Sequence, residues 1–193
     1  YYMRNYSEFN IFNELNANNI SLDVIDLKFQ AELKWKLFRK LELSALGALK
    51  YSATSQEHKI RENSNQALAY RAMGDGTIIN RNSWLYKDPD DPYALPVSIL
   101  PKGGFYNTAQ YKMLSYDFRA AASYNDVFND THIVNVYAGM ESNAQNRTAN
   151  SFDGWGMQYE NGEIPFFDYL AFKKLREGNT NYYDLTNTKK RNV

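Results

Sequence analysis

The sequence predicts an all-β protein whose strands are built to stand in a membrane wall, and three observations carry that expectation. Stretches of ten or more residues alternate apolar and polar side chains. They come in pairs joined by short turns, and long polar excursions separate the pairs. Soluble strands usually run about five or six residues. A tilted strand of roughly 9 to 11 residues is what the hydrocarbon core of a bilayer requires.

The first pair is "LKFQAELKWKLFRKLELSALGALKY", residues 27–51. Leu, Lys, Glu and Ala favour helices, so propensity alone points the wrong way. The period decides. At about 100° per residue, Leu27, Phe29, Ala31, Leu33 and Trp35 scatter around a cylinder, whereas at 180° they share one face opposite Lys28, Gln30, Glu32, Lys34 and Lys36. Beyond Phe38-Arg39-Lys40 the alternation resumes with Leu41, Leu43, Ala45, Gly47, Leu49 and Tyr51. Strands are expected near 21–37 and 41–53, joined by a tight turn at "FRKL".

The second pair repeats the arrangement. Leu114, Tyr116, Phe118, Ala120, Ala122 and Tyr124 lie on one face, with Asp117 and Arg119 on the other, and "DVFNDT" turns the chain. Val134, Val136, Ala138 and Met140 then oppose Asn135, Tyr137, Glu141 and Asn143. These are strands near 111–125 and 131–146.

The remainder reads as loops. Residues 1–20 are polar, with one helical turn suggested by Phe9, Phe12 and Leu15. A long loop over 54–104 opens with a capping-box pattern at Asn63 and Gln66, ahead of a helix running through Met73 and ended by Gly74-Asp75-Gly76. Four of the five prolines fall between Pro89 and Pro101 and exclude regular ladders there. A second long loop over 147–193 holds one helix, with Pro165 in its first turn, Lys173, Lys174 and Arg176 in its last, and Gly178 as its stop.

The bulk composition narrows function. The 193 residues carry formal net charge zero and no cysteine, with 16 tyrosines. Zero net charge gives no polyelectrolyte argument for nucleic acid, and absent cysteine excludes disulfides and thiolate metal sites within the chain. No apolar run approaches a transmembrane helix, and the mean hydropathy of −0.63 does not weigh against a barrel, half of whose strand residues face water. Nucleophile elbows, phosphate loops and zinc helix motifs are missing, so no enzyme and no cofactor is expected. The chain opens without an export signal, and a barrel must be exported, so the reading expects an internal piece of a longer polypeptide.

Four stretches carry a family resemblance: "DLKFQAELKWKL", "LELSALGALKYSATSQEHKIRENSNQALAYRAM", "LPVSILPKGGFYNTAQYKMLSYDFRAAASYNDVFNDTHIVNVYAGME" and "FDGWGMQYENGEIPFF". Together they cover most of the chain, which resembles the SusC/RagA-type TonB-dependent outer-membrane transporters. The resemblance implies a segment of a 22-stranded barrel with an internal plug, energised by TonB. It also implies a SusD-like surface lipoprotein that captures glycan or peptide cargo for import, and residence in the outer membrane. The matching stretches include no TonB box, plug or terminal strand, so gating and energy-coupling residues are not carried over. About four strands are legible, where the smallest barrels need about eight.

Candidate contact residues follow from the loop aromatics and the polar strand faces. Trp84, Tyr86, Tyr93, Trp155 and Tyr159 present flat apolar rings suited to sugars or to a lid partner, although pinning the long loops together is the favoured use. Asp117, Arg119 and Glu141 should face the lumen, where mutual pairing is favoured over contact with plug or cargo. "DPDDP", residues 88–92, offers carboxylates but lacks the spacing and central glycine of a calcium loop, so a rigid turn is expected and no metal. His58 and His132 have no ligand-spaced partner. The sequons at Asn5, Asn19, Asn129 and Asn146 read as chance in an Asn-rich chain. The competing function is a soluble β-rich carbohydrate-binding module. It differs from the transporter in one respect: Leu27, Phe29, Leu33, Trp35, Tyr116 and Phe118 would pack in a closed interior.

Overall fold

The computed structural model describes residues 9–129, 131–178 and 183–192. Most of the chain is antiparallel β-sheet with long strands, and the sheet is not closed. A short helix α1 (Ile11–Ala17) leads into β1 (Asn18–Phe38), the Arg39-Lys40 turn, and β2 (Leu41–Ile60). Helices α2 (Asn65–Arg71) and α3 (Gly76–Arg81) and a two-residue ladder, β3 (Leu85–Tyr86) with β4 (Val97–Ser98), fill the first excursion. Strands β5 (Gly104–Phe128) and β6 (His132–Gln158) follow, then β7 (Ile164–Pro165), α4 (Tyr169–Glu177) and β8 (Tyr183–Asn192).

Hydrogen-bonded neighbours run β1-β2-β5-β6, with β7 and β8 both on the far side of β6. Each long strand therefore pairs with the next long strand in the chain. Two-residue connections such as Arg39-Lys40 permit only antiparallel pairing. The second turn is similarly short, with Asn129 in the left-handed region at φ 53° and the Thr131 hydroxyl donating to its carbonyl at 2.9 Å.

The strands exceed the expected bounds of 21–37, 41–53, 111–125 and 131–146, and the loops shrink accordingly. Sequence alternation registers only where one face is apolar, and it fades in "TSQEHKI" and "RTANSFDGWGMQ". The backbone ladder continues regardless, because each neighbour supplies the next pair of hydrogen bonds. The loop expected over 147–193 is likewise interrupted by β8, whose lysine-rich pattern carries no oily face.

Three further local expectations need correction. Ser64, not Asn63, caps α2, its hydroxyl accepting from the Ala67 N–H at 3.1 Å. Gly74-Asp75-Gly76 opens a second helix as well as following the first, because the Asp75 carboxylate caps Thr77 and Ile78 at 2.7 and 2.9 Å. Pro165 pairs with Met157 in a ladder, so α4 begins four residues later. Phe12 and Leu15 of α1 are exposed, and only Ala17 is buried, so that helical spacing marks no core. Asn5, Asp130 and residues 179–182 lie outside the described residues.

The chain divides into two compact units, residues 1–22, 55–109 and 150–186 in the first, and 23–54, 110–149 and 187–193 in the second. Their interiors differ in kind. Among the described residues every buried hydrophobic side chain belongs to the first unit: Ala17, Ile60, Ala67, Leu85, Tyr86, Ile99, Leu100, Phe105 and Leu175. Among its described residues the second unit buries only Ser115 and Asp126.

Candidate functional site

The first unit is organised around Tyr70 of α2. Its ring stacks on Trp84 at 4.4 Å and meets Phe105 and Trp155 edge-on at 5.2 and 5.5 Å, while Phe105 and Trp155 pack edge-on at 5.0 Å. Such pairs are each worth about 0.5–1.5 kcal/mol beyond their buried area. Tyr70 and Trp155 touch both buried clusters, one built on Tyr86, Ile99 and Leu175, the other on Ile60, Ala67, Leu100 and Phe105.

Phe105 reaches this position because two glycines precede it. Gly103 sits at φ +77°, and a Cβ there would approach the Gly156 carbonyl to 2.5 Å. At Gly104 a Cβ would collide with the Ile60 carbonyl. Only glycine lets the backbone come so close, so "KGGF" is a packing motif.

Polar ties complete the frame. The Arg71 guanidinium donates to the carbonyls of Glu62, Gly103 and Ala67, closing the loop around α2, and burial pulls its pKa down. Asn82 donates to the Ala69 and Ala72 carbonyls at 3.0 Å each, and its side-chain oxygen accepts from the Trp84 N–H at 3.1 Å. The Glu62 carboxylate takes the N–H groups of Tyr159 and Glu160 at 3.2 and 3.1 Å. The Tyr106 hydroxyl donates to Glu57 at 2.5 Å, which pushes its pKa up to about 12.

The five aromatic candidates separate on this geometry. Tyr86, 4% exposed, packs in the core, and its hydroxyl donates to Glu177 at 3.1 Å. Trp155 is held between Tyr70 and Phe105. Tyr159 spends its hydroxyl on the Phe105 carbonyl at 2.6 Å, and burial raises its pKa. Trp84 offers one ring face, the other being stacked on Tyr70. Tyr93, 94% exposed, stands clear of the cluster. Tyr70 and Phe105 were not singled out by sequence; the Gly-Gly step before Phe105 was the available signal.

"DPDDP" is a rigid acidic turn with its charge already used. Lys173 donates to both oxygens of Asp88 at 3.1 Å and to Asp90 at 3.4 Å. The Asp91 carboxylate accepts from the Tyr93 N–H at 3.0 Å. The Asp90 N–H and then the Lys173 ammonium hold the Asp88 carboxyl below its ordinary pKa, and the Asp88 hydrogen bond lifts that of Lys173. Among the described residues no group of three or more histidines and carboxylates is placed to hold a metal ion. His58 meets Asn18 at 2.6 Å, and His132 is exposed.

The second unit presents two contrasting faces. Leu33, Trp35, Leu43, Ala45, Ala120, Ala122, Ala138 and Met140 line one shallow concavity, and Phe29, Ala31, Gly47, Leu49, Tyr116 and Phe118 line a second. The oily positions of β1, β2, β5 and β6 therefore share a side. It is open: Phe29, Leu33 and Trp35 are 69%, 66% and 58% exposed.

On the polar side several side chains pair with one another. Arg119 meets Glu141 at 3.0 Å, Asn143 donates to Asp117, and Lys50 lies 3.5 Å from Asp26. Near the turns, the buried Asp126 carboxylate accepts from Lys40 at 2.7 Å and from the Tyr124 hydroxyl at 2.8 Å. Comparison of the sequence with protein-family models and with curated proteins returns no match.

Proposed function

We propose that the chain is a segment of a TonB-dependent outer-membrane transporter that imports glycans or other nutrients, oligosaccharide or peptide, with a SusD-like lipoprotein as partner. The carrying observation is the second unit's open apolar face, which has no buried hydrophobic residue behind it among the described residues. In water such a sheet lacks its main driving force, because an apolar face contributes to stability only when it is removed from solvent. Lipid removes it.

Dimensions support the same reading. From Leu27 to Leu37 the apolar positions of β1 span ten residue steps, about 33 Å along the strand, or about 25 Å of membrane depth at a barrel-like tilt. Strand order supports it too, since β1, β2, β5, β6 and β8 pair in succession as barrel staves do. Among the described residues β1 is an edge of the sheet, and unpaired backbone groups facing lipid cost several kcal/mol each. Further strands must therefore continue the wall.

The soluble carbohydrate-binding module needs the same side chains inside. Leu33, Trp35 and Phe118 lie open, and four of the five loop aromatics are engaged in packing or stacking. The transporter reading thus rests on the strand faces, and transport itself involves no bond chemistry. To test it, the full-length protein is expressed in a diderm host and the envelope fractionated. Recovery in the outer membrane, with heat-modifiable migration on gels, is expected. Recovery as a soluble folded protein overturns the proposal.

A further inference from the structure

On the polar side of the second unit, two cations without an ion-pair partner among the described residues share a pocket. Ser52 and Thr54 of β2, Tyr111 of β5, Arg147 of β6, and Thr188 and Lys190 of β8 line a concavity of about 370 Å³, together with Lys112, Met113, Thr148 and Ala149. The lining holds no carboxylate, and of its cationic residues Arg147 and Lys190 belong to the polar side, whereas Lys112 alternates in phase with Leu114 and Tyr116 on the other. Among the described residues neither Arg147 nor Lys190 has an ion-pair partner.

That contrasts with the neighbouring positions of β5 and β6 on the same side. Tyr111 and Met113 alternate in phase with Asp117 and Arg119 on β5, and Arg147 with Glu141 and Asn143 on β6, so they occupy one face of the sheet. There Arg119 is matched by Glu141 and Asp117 by Asn143. Uncompensated cations converging on a pocket are mutually repulsive, and an anion relieves that repulsion. The hydroxyls of Ser52, Thr54, Tyr111 and Thr188 add neutral donors around the cations, and guanidinium suits the paired oxygens of a carboxylate, sulfate or phosphate.

We infer that this pocket, formed by Arg147, Lys190 and the surrounding hydroxyls, binds an oxyanion group, and that the cargo passing this face bears one. The inference rests on the transporter reading and names a substrate class for it, an acidic oligosaccharide or other anionic nutrient. The pocket selects charge more than shape: two donors of positive charge and four hydroxyls can meet a carboxylate or a sulfate equally. Binding should weaken as salt rises, because these side chains are solvent-accessible.

The experiment uses the full-length protein in detergent, with glucuronate, inorganic sulfate and inorganic phosphate as separate probes and glucose as the neutral control, read by calorimetry. Saturable binding of at least one anion, and none of glucose, is expected; which anion binds best separates carboxylate from sulfate and phosphate cargo. Arg147→Ala with Lys190→Ala should weaken that binding by about tenfold or more, the scale of a lost charge-assisted contact. Arg119→Ala, removing a cation already paired elsewhere on the face, should leave it unchanged. Absence of saturable binding to any anion, or equal binding by the double variant in its heat-modifiable folded form, overturns the inference. Failure to reach the outer membrane would instead sink the transporter reading, so the two failures are distinct.

Discussion

Lys173 on α4 places its ammonium 3.1 Å from both carboxylate oxygens of Asp88, tying a helix to the acidic turn that follows β3. The same helix turn sends Lys174 to the Leu85 carbonyl at 3.1 Å and Glu177 to the Tyr86 hydroxyl. Docking of α4 therefore depends on a charge pair beside a buried residue, Leu175.

This pair gives a pH dependence with a defined sign. Asp88 is depressed below 3.8, so its contribution is present above that value and lost as pH falls through the lower folded-state value. Lys173 is raised above 10.5, so its contribution is present below 10.5 and lost as pH rises through the higher folded-state value. Hydrogen exchange of the α4 amides, corrected for intrinsic rates, should show constant protection across neutral pH and losses only at strongly acid or alkaline pH. Lys173→Met should lower protection throughout. Protection that changes around pH 6 to 8 would contradict the assignment.

The aromatic cluster predicts a ranking. Trp155→Ala removes contacts to Tyr70 and Phe105 and should cost the first unit about 3 kcal/mol, the lower end for large aromatic truncations because the ring is half-buried. Tyr93→Ala should stay within about 0.5 kcal/mol, as for exposed sites generally. Denaturant midpoints of the folded full-length protein, followed by tryptophan fluorescence for Tyr93→Ala and by exchange for Trp155→Ala, check the order. Equal effects would show that the cluster is not the core.

Gly104→Ala should abolish native packing of the first unit, since the new methyl collides with the Ile60 backbone, which cannot swing away as a side chain would. Gly162→Ala meets no atom within 4 Å, and its cost should be limited to the positive φ of +87°, about 1 kcal/mol. Protease resistance of the 55–109 region distinguishes the two. Comparable resistance in both variants would remove the close approach at Gly104 from the account.

The strands were legible where water and oil separate across a sheet. Leu27 through Trp35 and Leu114 through Tyr124 alternate because one face of each is uniformly apolar. Where both faces are polar, as in 54–60 and in β8, pairing with a neighbouring strand sets the conformation, and no local pattern announces it. The site candidates show the same divide. Tyr86 and Tyr93 are alike in sequence, and tertiary packing makes one core and leaves the other bare. The unpaired cations Arg147 and Lys190 are separated by 43 residues, the interval from 147 to 190, and only the pairing of β6 with β8 brings them to one pocket. Chain distance hid them.

The environment of the oily face can be measured directly, because these 193 residues hold no cysteine and a label site introduced into them stands alone once any cysteine elsewhere in the full-length protein is replaced. Single cysteines at Phe29, Leu33 and Phe118, and at Lys34 and Arg119 opposite, are labelled with a small fluorophore in full-length protein reconstituted into vesicles. Quenching by brominated acyl chains is then recorded. An oily face set against lipid gives strong quenching at Phe29, Leu33 and Phe118, and weak quenching with access to an aqueous quencher at Lys34 and Arg119. Labels at the first three positions that neither brominated lipid nor aqueous quencher reaches, as in a closed protein interior, would contradict it.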